Sequence, residues 1–225
     1  MNQLASALDR CVGDIERDLL TMADLAVRRT ERALGSWRDG DRAAAARVIA
    51  DDELVDDLCL AIERRVLVTQ VTMAPVARDQ RLLHVARIAC VAFERVGDLA
   101  SAIADLAGDA PADIARAPRV ARRLDHLAEL AVDGLAGTRE ALDAGDAALA
   151  FGVVGRAAEA PQALADLLAE VCEGQELGAD PALAASVVLL GRHLERLVDN
   201  AAMVARRVVF LATGRLPAKL GATAA

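Results

Sequence analysis

The chain has 225 residues and a formal net charge of −8; 55% of its residues are hydrophobic and 2% are aromatic. This balance disfavours a nucleic-acid partner, because no Lys/Arg block with interleaved aromatic residues offsets the acidic charge. The four cysteines are scattered and form no Cys-x-x-Cys pair, and the charged N-terminus does not resemble a signal peptide. No apolar run approaches the roughly 18 residues that span a bilayer. These features together predict a soluble, cytoplasmic protein.

Breaks in the helical spacing of apolar residues predict six helical segments and therefore an all-α fold. The segments run from about Leu4 to Trp37, Asp41 to Thr72, Val76 to Ala107, Pro118 to Ala144, from Asp146 onward, and from Pro181 to Thr213. We expect Asp41 and Asp146 to cap the helices that begin after them. We also expect Pro161 to kink or split the fifth segment, because proline lacks the backbone N–H that a helix interior needs.

The two halves of the chain share one order of elements. Each half has a long helix that ends at a Gly-Asp turn, then a second helix, then a third helix that carries an acidic pair. A loop containing Gly108, Pro111 and Pro118 separates the halves. We therefore predict two tandem three-helix bundles, residues 1–110 and residues 111–225, related by a pseudo-twofold internal repeat.

Acidic pairs with i, i+4 spacing flank the apolar stripes of three predicted helices. The pairs are Asp52 and Asp56 on the second helix, Glu94 and Asp98 on the third, and Glu195 and Asp199 on the sixth. At 100° per residue the last two pairs occupy equivalent faces of their helices. If the second and third helices are neighbours, their four carboxylates should converge at the shared edge.

Each acidic pair needs positive charge nearby, because like charges one turn apart repel each other. Arginines are one source of that charge, and the candidates are Arg87, Arg95 and Arg196 on the same helices as the pairs. A bound metal ion would be another source. Oxygen-only ligation suits hard cations such as Mg, Mn, Ca or iron, and the absence of Cys or His near the pairs argues against zinc.

The segment DDELVDD has a simpler interpretation as the acidic start of a helix, where the positive end of the helix dipole favours carboxylates. The predicted second helix disfavours it. Asp52 and Asp56 would lie about three turns beyond Asp41, too far from the helix start for that effect.

Four segments together resemble the signature of the PhoU family of phosphate-uptake regulators. They are FERVGDLASAIADL, GRHLERLVDNAAMVARRVVFLATG, DDELVDDL and APVARDQRLL, and the resemblance covers nearly the whole chain. It implies two three-helix bundles that bind multinuclear metal clusters through Glu/Asp-x-x-x-Asp pairs. On this basis the candidate metal ligands are Asp52, Asp56, Glu94, Asp98, Glu195 and Asp199. The ion would be oxygen-ligated, with iron, Mn, Mg or Zn as candidates.

The second half departs from the family pattern. Counted from the aspartate of the Gly-Asp turn, the positions on the fifth helix that are equivalent to Asp52 and Asp56 hold Ala157 and Pro161. Glu159 is close in sequence but points to a different side of the helix. Val198 also replaces the glycine of the signature. The resemblance therefore implies a complete first-half site and a second-half site that lacks two ligands.

The resemblance further implies a regulator of phosphate uptake and phosphate-responsive signalling. Its partners would be the ATPase of the phosphate ABC transporter and a sensor histidine kinase, and it would be a homodimer that reaches the membrane only through these partners. A carboxylate-bridged metalloenzyme is one alternative, disfavoured because no histidine lies three residues after a glutamate and no Gly-rich phosphate loop occurs. We therefore expect no enzymatic activity. A purely structural, partner-binding bundle is the other alternative.

Overall fold

The computed structural model describes residues 2–108, 114, 117–173, 176–177 and 180–215. Among these residues the regular elements are helical, with no strand. The helices are α1 (Asn2–Asp39), α2 (Arg42–Ala50), α3 (Glu53–Met73), α4 (Ala77–Asp105), α5 (Pro118–Ala144), α6 (Ala147–Ala157), α7 (Ala160–Glu173) and α8 (Pro181–Thr213). A 3-10 turn, Leu106–Gly108, comes directly after α4. The all-α prediction is confirmed.

The same turn ends the first helix of each half. Gly40 and Gly145 both have φ of +63°, a left-handed conformation that glycine adopts without steric cost. The aspartate after each glycine caps the next helix, as predicted. Asp41 accepts a hydrogen bond from a backbone N–H in the first turn of α2, and Asp146 accepts two from the first turn of α6. The internal repeat is therefore visible in the local backbone as well as in the helix order.

The second and fifth predicted segments are each divided into two helices. The fifth breaks at residues 158–159, between α6 and α7, so Pro161 lies in the first turn of α7 where its missing N–H costs little. This agrees with the prediction. The second segment breaks at Asp51 and Asp52, between α2 and α3, and the prediction of one continuous helix from Asp41 to Thr72 is wrong.

The predicted apolar stripes form the core. All residues of the two predicted stripes are buried. On α4 they are Leu82, Val85, Ala89, Phe93, Val96, Ala100 and Ile103, and on α8 they are Leu183, Val187, Leu190, Leu194, Val198, Ala201, Ala205 and Val208. α1 packs on α3 and α4 in the first half, and α5 packs on α6, α7 and α8 in the second. α4 also lies against α8, and α1 against α5, so one apolar core runs through both halves. The predicted boundary between residues 110 and 111 lies outside the described residues.

A helix that crosses a bilayer needs about 20 consecutive, mostly apolar residues. Within the described part of the chain, no helix combines enough length with enough apolar character to span a membrane.

Candidate metal-binding site

One buried arginine accounts for the break between α2 and α3. Arg29, on α1, is only 3% exposed. Its Nη2 donates to the carbonyl oxygen of Val48 at 3.1 Å, and its Nη1 donates to the carbonyl oxygen of Asp51. The last carbonyls of a helix have no helical N–H partner, so they need donors from elsewhere. The guanidinium supplies those donors and stabilises the end of α2 at this point.

The same guanidinium holds the first acid of the site. Arg29 Nη2 lies 2.7 Å from Asp52 Oδ1 and 2.9 Å from Ser101 Oγ on α4. Because the Asp52 side chain is turned towards Arg29, it makes no capping hydrogen bond to the start of α3. A Cβ atom added to Gly97 would lie 3.4 Å from Asp52 Oδ1. The start of α3 therefore lies directly against α4 at Gly97.

The structure brings together the four acids that were expected to converge. Burial, ahead of the negative charges of Asp98 and Asp56, raises the pKa of Glu94 above its usual value. Asp98 is exposed to solvent on one side, but partial desolvation by neighbouring side chains also raises its pKa, with a smaller contribution from the charges of Asp52 and Asp56. Each carboxylate thus lies within the field of the others, at the shared edge of α3 and α4.

The donor chemistry of this edge fits a hard cation, but the four acids do not form a closed site. Within the described part of the chain, Asp56, Glu94 and Asp98 make no hydrogen bond or ion pair. In the same residues, no group of three or more His, Cys, Asp or Glu side chains is arranged to hold a metal ion. A cation would therefore have to draw the carboxylates together, and one oxygen of Asp52 is already held by Arg29.

The position of the acids relative to the helix start differs from the prediction. Because α3 begins at Glu53, Asp52 is its N-cap residue and Asp56 lies in its first turn. The expectation that both acids lie too deep in a helix to benefit from its dipole is therefore wrong. The positive end of α3 offsets part of the repulsion without a metal.

Arginines also compensate the acids. Arg29 pairs with Asp52, and Arg95, a predicted candidate, opposes the rise in the pKa of both Glu94 and Asp98. Arg29 was not among the arginines expected from the sequence. A signal was present, because Arg29 takes a position in the buried stripe of α1, between Ala26 and Ala33. A charged residue at a core position of an amphipathic helix indicates a buried polar partner.

Two cysteines lie next to the acids, which corrects a second expectation. Burial raises the pKa of Cys59, and a hydrogen bond with Cys90 lowers it by a smaller amount. The charges of Glu63 and Glu94 raise it further, so this thiol lies within the field of the acidic edge. Burial raises the pKa of Cys90 as well. In the metal-free protein both thiols are therefore protonated at neutral pH, and a zinc ion would have to displace their protons to bind them.

The second-half acids have a different environment. Glu195 forms an ion pair with Arg192 on its own helix, and Asp199 is exposed. The positions that correspond to Asp52 and Asp56 hold Ala157, half-buried, and Pro161, exposed. Counted back from the glycine turns, Arg29 corresponds to Gly134 on α5.

An apolar cavity of about 180 Å³ takes the place of the first-half polar network. Gly134, Ala157 and Val198 line it, the residues that correspond to Arg29, Asp52 and Gly97. Its rim carries an exposed ion pair between Asp133 and Arg156. Because Ala157 and Pro161 supply no carboxylate, a metal ion at Glu195 and Asp199 would have two fewer protein ligands than one at the first-half edge.

The PhoU domain family model matches residues 19–107, which include the whole first-half acidic edge. Across 217 residues the chain is 30% identical to the phosphate-specific transport system accessory protein PhoU homolog 1 of Mycobacterium leprae, covering 95% of this chain and 96% of that protein. It is 31% identical over 218 residues to PhoU homolog 2 of Mycobacterium tuberculosis, covering 95% of this chain and 100% of that protein. The chain belongs to the PhoU family.

Solved PhoU structures have the same fold. The regulatory protein PhoU from Streptococcus pneumoniae has a TM-score of 0.83 at 22% identity, covering 94% of this chain and 99% of that one. PhoU from Pseudomonas aeruginosa has a TM-score of 0.84 at 23% identity, covering 92% and 99% of the two chains. The predicted pair of three-helix bundles is therefore confirmed as a PhoU fold.

Replacing Arg29 by methionine should lower the free energy of unfolding by about 2–4 kcal/mol. The change leaves two carbonyl oxygens without donors and Asp52 without its partner. Urea denaturation in a chelating buffer measures this loss. Arg32→Met is the matched control, because Arg32 pairs with Asp51 at the surface, with side chains 47% and 42% exposed. The control should lose less than about 1 kcal/mol, and equal losses would show that Arg29 does not hold the break.

Neutralising Glu94 and Asp98 together should stabilise the metal-free protein. Folding raises the pKa of both acids, so the folded state binds protons more readily and the wild type gains stability as pH falls. The Glu94→Gln/Asp98→Asn variant lacks this dependence. It should be more stable by about 0.5 kcal/mol at neutral pH, with the difference vanishing towards about pH 4.

Urea denaturation in chelating buffer at several pH values measures this difference. Glu140→Gln serves as the control, since Glu140 is an exposed acid on α5. A destabilised double variant at neutral pH would contradict the repulsion at the acidic edge.

Proposed function

We propose that this PhoU-family protein regulates phosphate uptake and phosphate-responsive signalling. The observation that carries the proposal is similarity along nearly the whole chain to proteins named as accessory proteins of phosphate-specific transport systems. In this proposal the protein acts in the cytoplasm as a homodimer. It binds the ATPase of the phosphate ABC transporter and a sensor histidine kinase, and it reaches the membrane only through them.

We infer that its action is binding rather than catalysis. The acids of the first-half edge lie on the flank of the bundle, with Asp56 and Asp98 exposed, and not inside it as in carboxylate-bridged enzymes. Long helices with exposed faces suit an adaptor that offers surfaces to partner proteins. The names of the relatives, which describe accessory and regulatory proteins, support the same interpretation.

We further propose that the first-half edge holds an oxygen-ligated metal ion, with iron, Mn, Mg or Zn as candidates. Asp52, Asp56, Glu94 and Asp98 would supply the ligands. The raised pKa values of Glu94 and Asp98 arise first from burial and then from the charges of the neighbouring carboxylates, and this second contribution supports the proposal because a bound cation would neutralise those charges. The bound ion would supply positive charge at the junction of α3 and α4.

A partner-binding bundle without metal is the second candidate. It is favoured by Arg29 and by the N-terminus of α3, since both offset the acids without an ion. Metal content separates the two candidates.

Deleting the gene should raise phosphate uptake and change phosphate-responsive transcription in phosphate-rich medium, because a brake on import is lost. Radiolabelled phosphate uptake and a transcriptional reporter measure the two effects. Complementation with the wild-type gene should restore both. No change in uptake or transcription, under either rich or starved conditions, would contradict the regulatory function.

Tag-free protein purified without oxygen should contain metal that depends on the first-half acids. Inductively coupled plasma mass spectrometry on the wild type and on Glu94→Ala/Asp98→Ala measures the content. The metal should be lost in this variant and retained in Glu195→Ala/Asp199→Ala, the matched control in the second half. A wild type without metal would favour the metal-free bundle.

A further inference from the structure

One side of α3 is apolar and faces solvent. Its exposed large side chains are Leu54, Leu60, Leu67, Val68 and Val71, with exposed fractions between 53% and 77%. At 100° per residue they lie within an arc of about 140°, over a length of about 26 Å. We call this surface the α3 outer face; its exposed residues within the arc are Glu53, Leu54, Asp57, Leu60, Ala61, Arg64, Leu67, Val68, Val71 and Thr72.

The α3 outer face is distinct from the core-facing side of the same helix. Val55, Ile62 and Val66 on that side are buried where α3 packs against α1 and α4. A helix that is apolar on two sides needs a second covering, because a continuous exposed apolar patch is uncommon on monomeric proteins and marks a contact surface.

Two opposite charges lie along the midline of the α3 outer face. Asp57 and Arg64 are seven residues apart, so they point in nearly the same direction about two turns from each other. Neither makes a hydrogen bond or ion pair within the described residues. Neighbouring apolar side chains flank both. The midline of the face therefore presents one unpaired anion and one unpaired cation in a fixed register, and Glu53 adds a second anion about 30° from the midline at the start of the helix.

This register is complementary to itself. We propose that the α3 outer face binds the α3 outer face of a second copy of the chain, with the two helices antiparallel. A twofold axis level with the midpoint between residues 60 and 61 places Asp57 opposite the partner's Arg64, and Arg64 opposite the partner's Asp57. The same axis brings Leu60 next to the partner's Leu60.

The charges select this arrangement over a parallel one. In a parallel pair with the same register, Asp57 would face the partner's Asp57 and Arg64 the partner's Arg64, so both contacts would be repulsive. In the antiparallel pair both contacts are attractive, and Leu54 lies level with the partner's Leu67. A single spacing thus matches two charge contacts and the apolar contacts of Leu54, Leu60 and Leu67, while Val68 lies level with the partner's Glu53. That match favours a second copy over an unrelated helix as the occupant.

This proposal rests on the homodimer of the proposed function and identifies the surface through which the two copies bind each other. It does not depend on metal or on transporter binding. Asp56 lies beside the α3 outer face but outside its arc, so the acidic edge and the dimer contact occupy adjoining sides of one helix.

Sedimentation velocity on the full, tag-free chain in chelating buffer tests the contact, over concentrations from about 1 to 200 μM. Asp57→Arg and Arg64→Asp each place like charges together at both symmetric contacts. Each should weaken dimerisation at least about tenfold. The double variant Asp57→Arg/Arg64→Asp exchanges the charges and should restore the wild-type dissociation constant. Glu140→Arg, a charge reversal on exposed α5 surface, should change nothing.

Circular dichroism checks that every variant keeps wild-type helicity, and the two single reversals are independent if one fails to fold. A dimer that is insensitive to the single reversals, or that the exchanged pair does not rescue, overturns the α3 contact while the proposed homodimer stands. A wild type that is monomeric at about 200 μM overturns both. Neither outcome affects the uptake and metal measurements.

Discussion

The acidic edge depends on one buried guanidinium. Arg29 donates to two carbonyl oxygens at the end of α2 and to the carboxylate of Asp52, so it fixes both where the helix breaks and where the first acid lies. A buried arginine is costly to desolvate unless its donors are used, and here three acceptors from the break and one from Ser101 use the two Nη groups, while Nε is buried without a hydrogen-bond partner. Because α3 restarts at Glu53, its positive end comes close to the acids.

The second half of the chain lacks this guanidinium. Gly134 stands where Arg29 stands, Ala157 replaces Asp52, and Val198 replaces Gly97. The fifth segment still breaks, but a proline lies just after the break, and the space that the polar network fills in the first half is an apolar cavity. Removing a buried cation and its acid together avoids leaving either one unpaired, which explains why the polar residues are missing as a set. The repeat keeps its fold while its chemistry differs.

α3 divides its surface among three environments. Its core side packs on α1 and α4, its acidic edge meets α4 at Gly97, and its outer face is apolar with one anion and one cation on the midline. In the proposed functions, the edge holds a metal and the outer face binds a second copy. Since both sides belong to one helix, a change in the charge at the edge lies within one turn of the dimer contact.

The sequence by itself determined the helix ends at the Gly-Asp turns, the buried stripes of α4 and α8, the division near Pro161 and the family, because caps, prolines and a 3.6-residue period act over a few residues. It also indicated which acids would converge. Tertiary structure alone decided the break at Asp51 and Asp52, because the donors that stabilise it come from Arg29 on another helix. The approach of Cys59 to the acidic edge and the cavity at Val198 likewise depend on how separate helices pack, which local pattern does not specify.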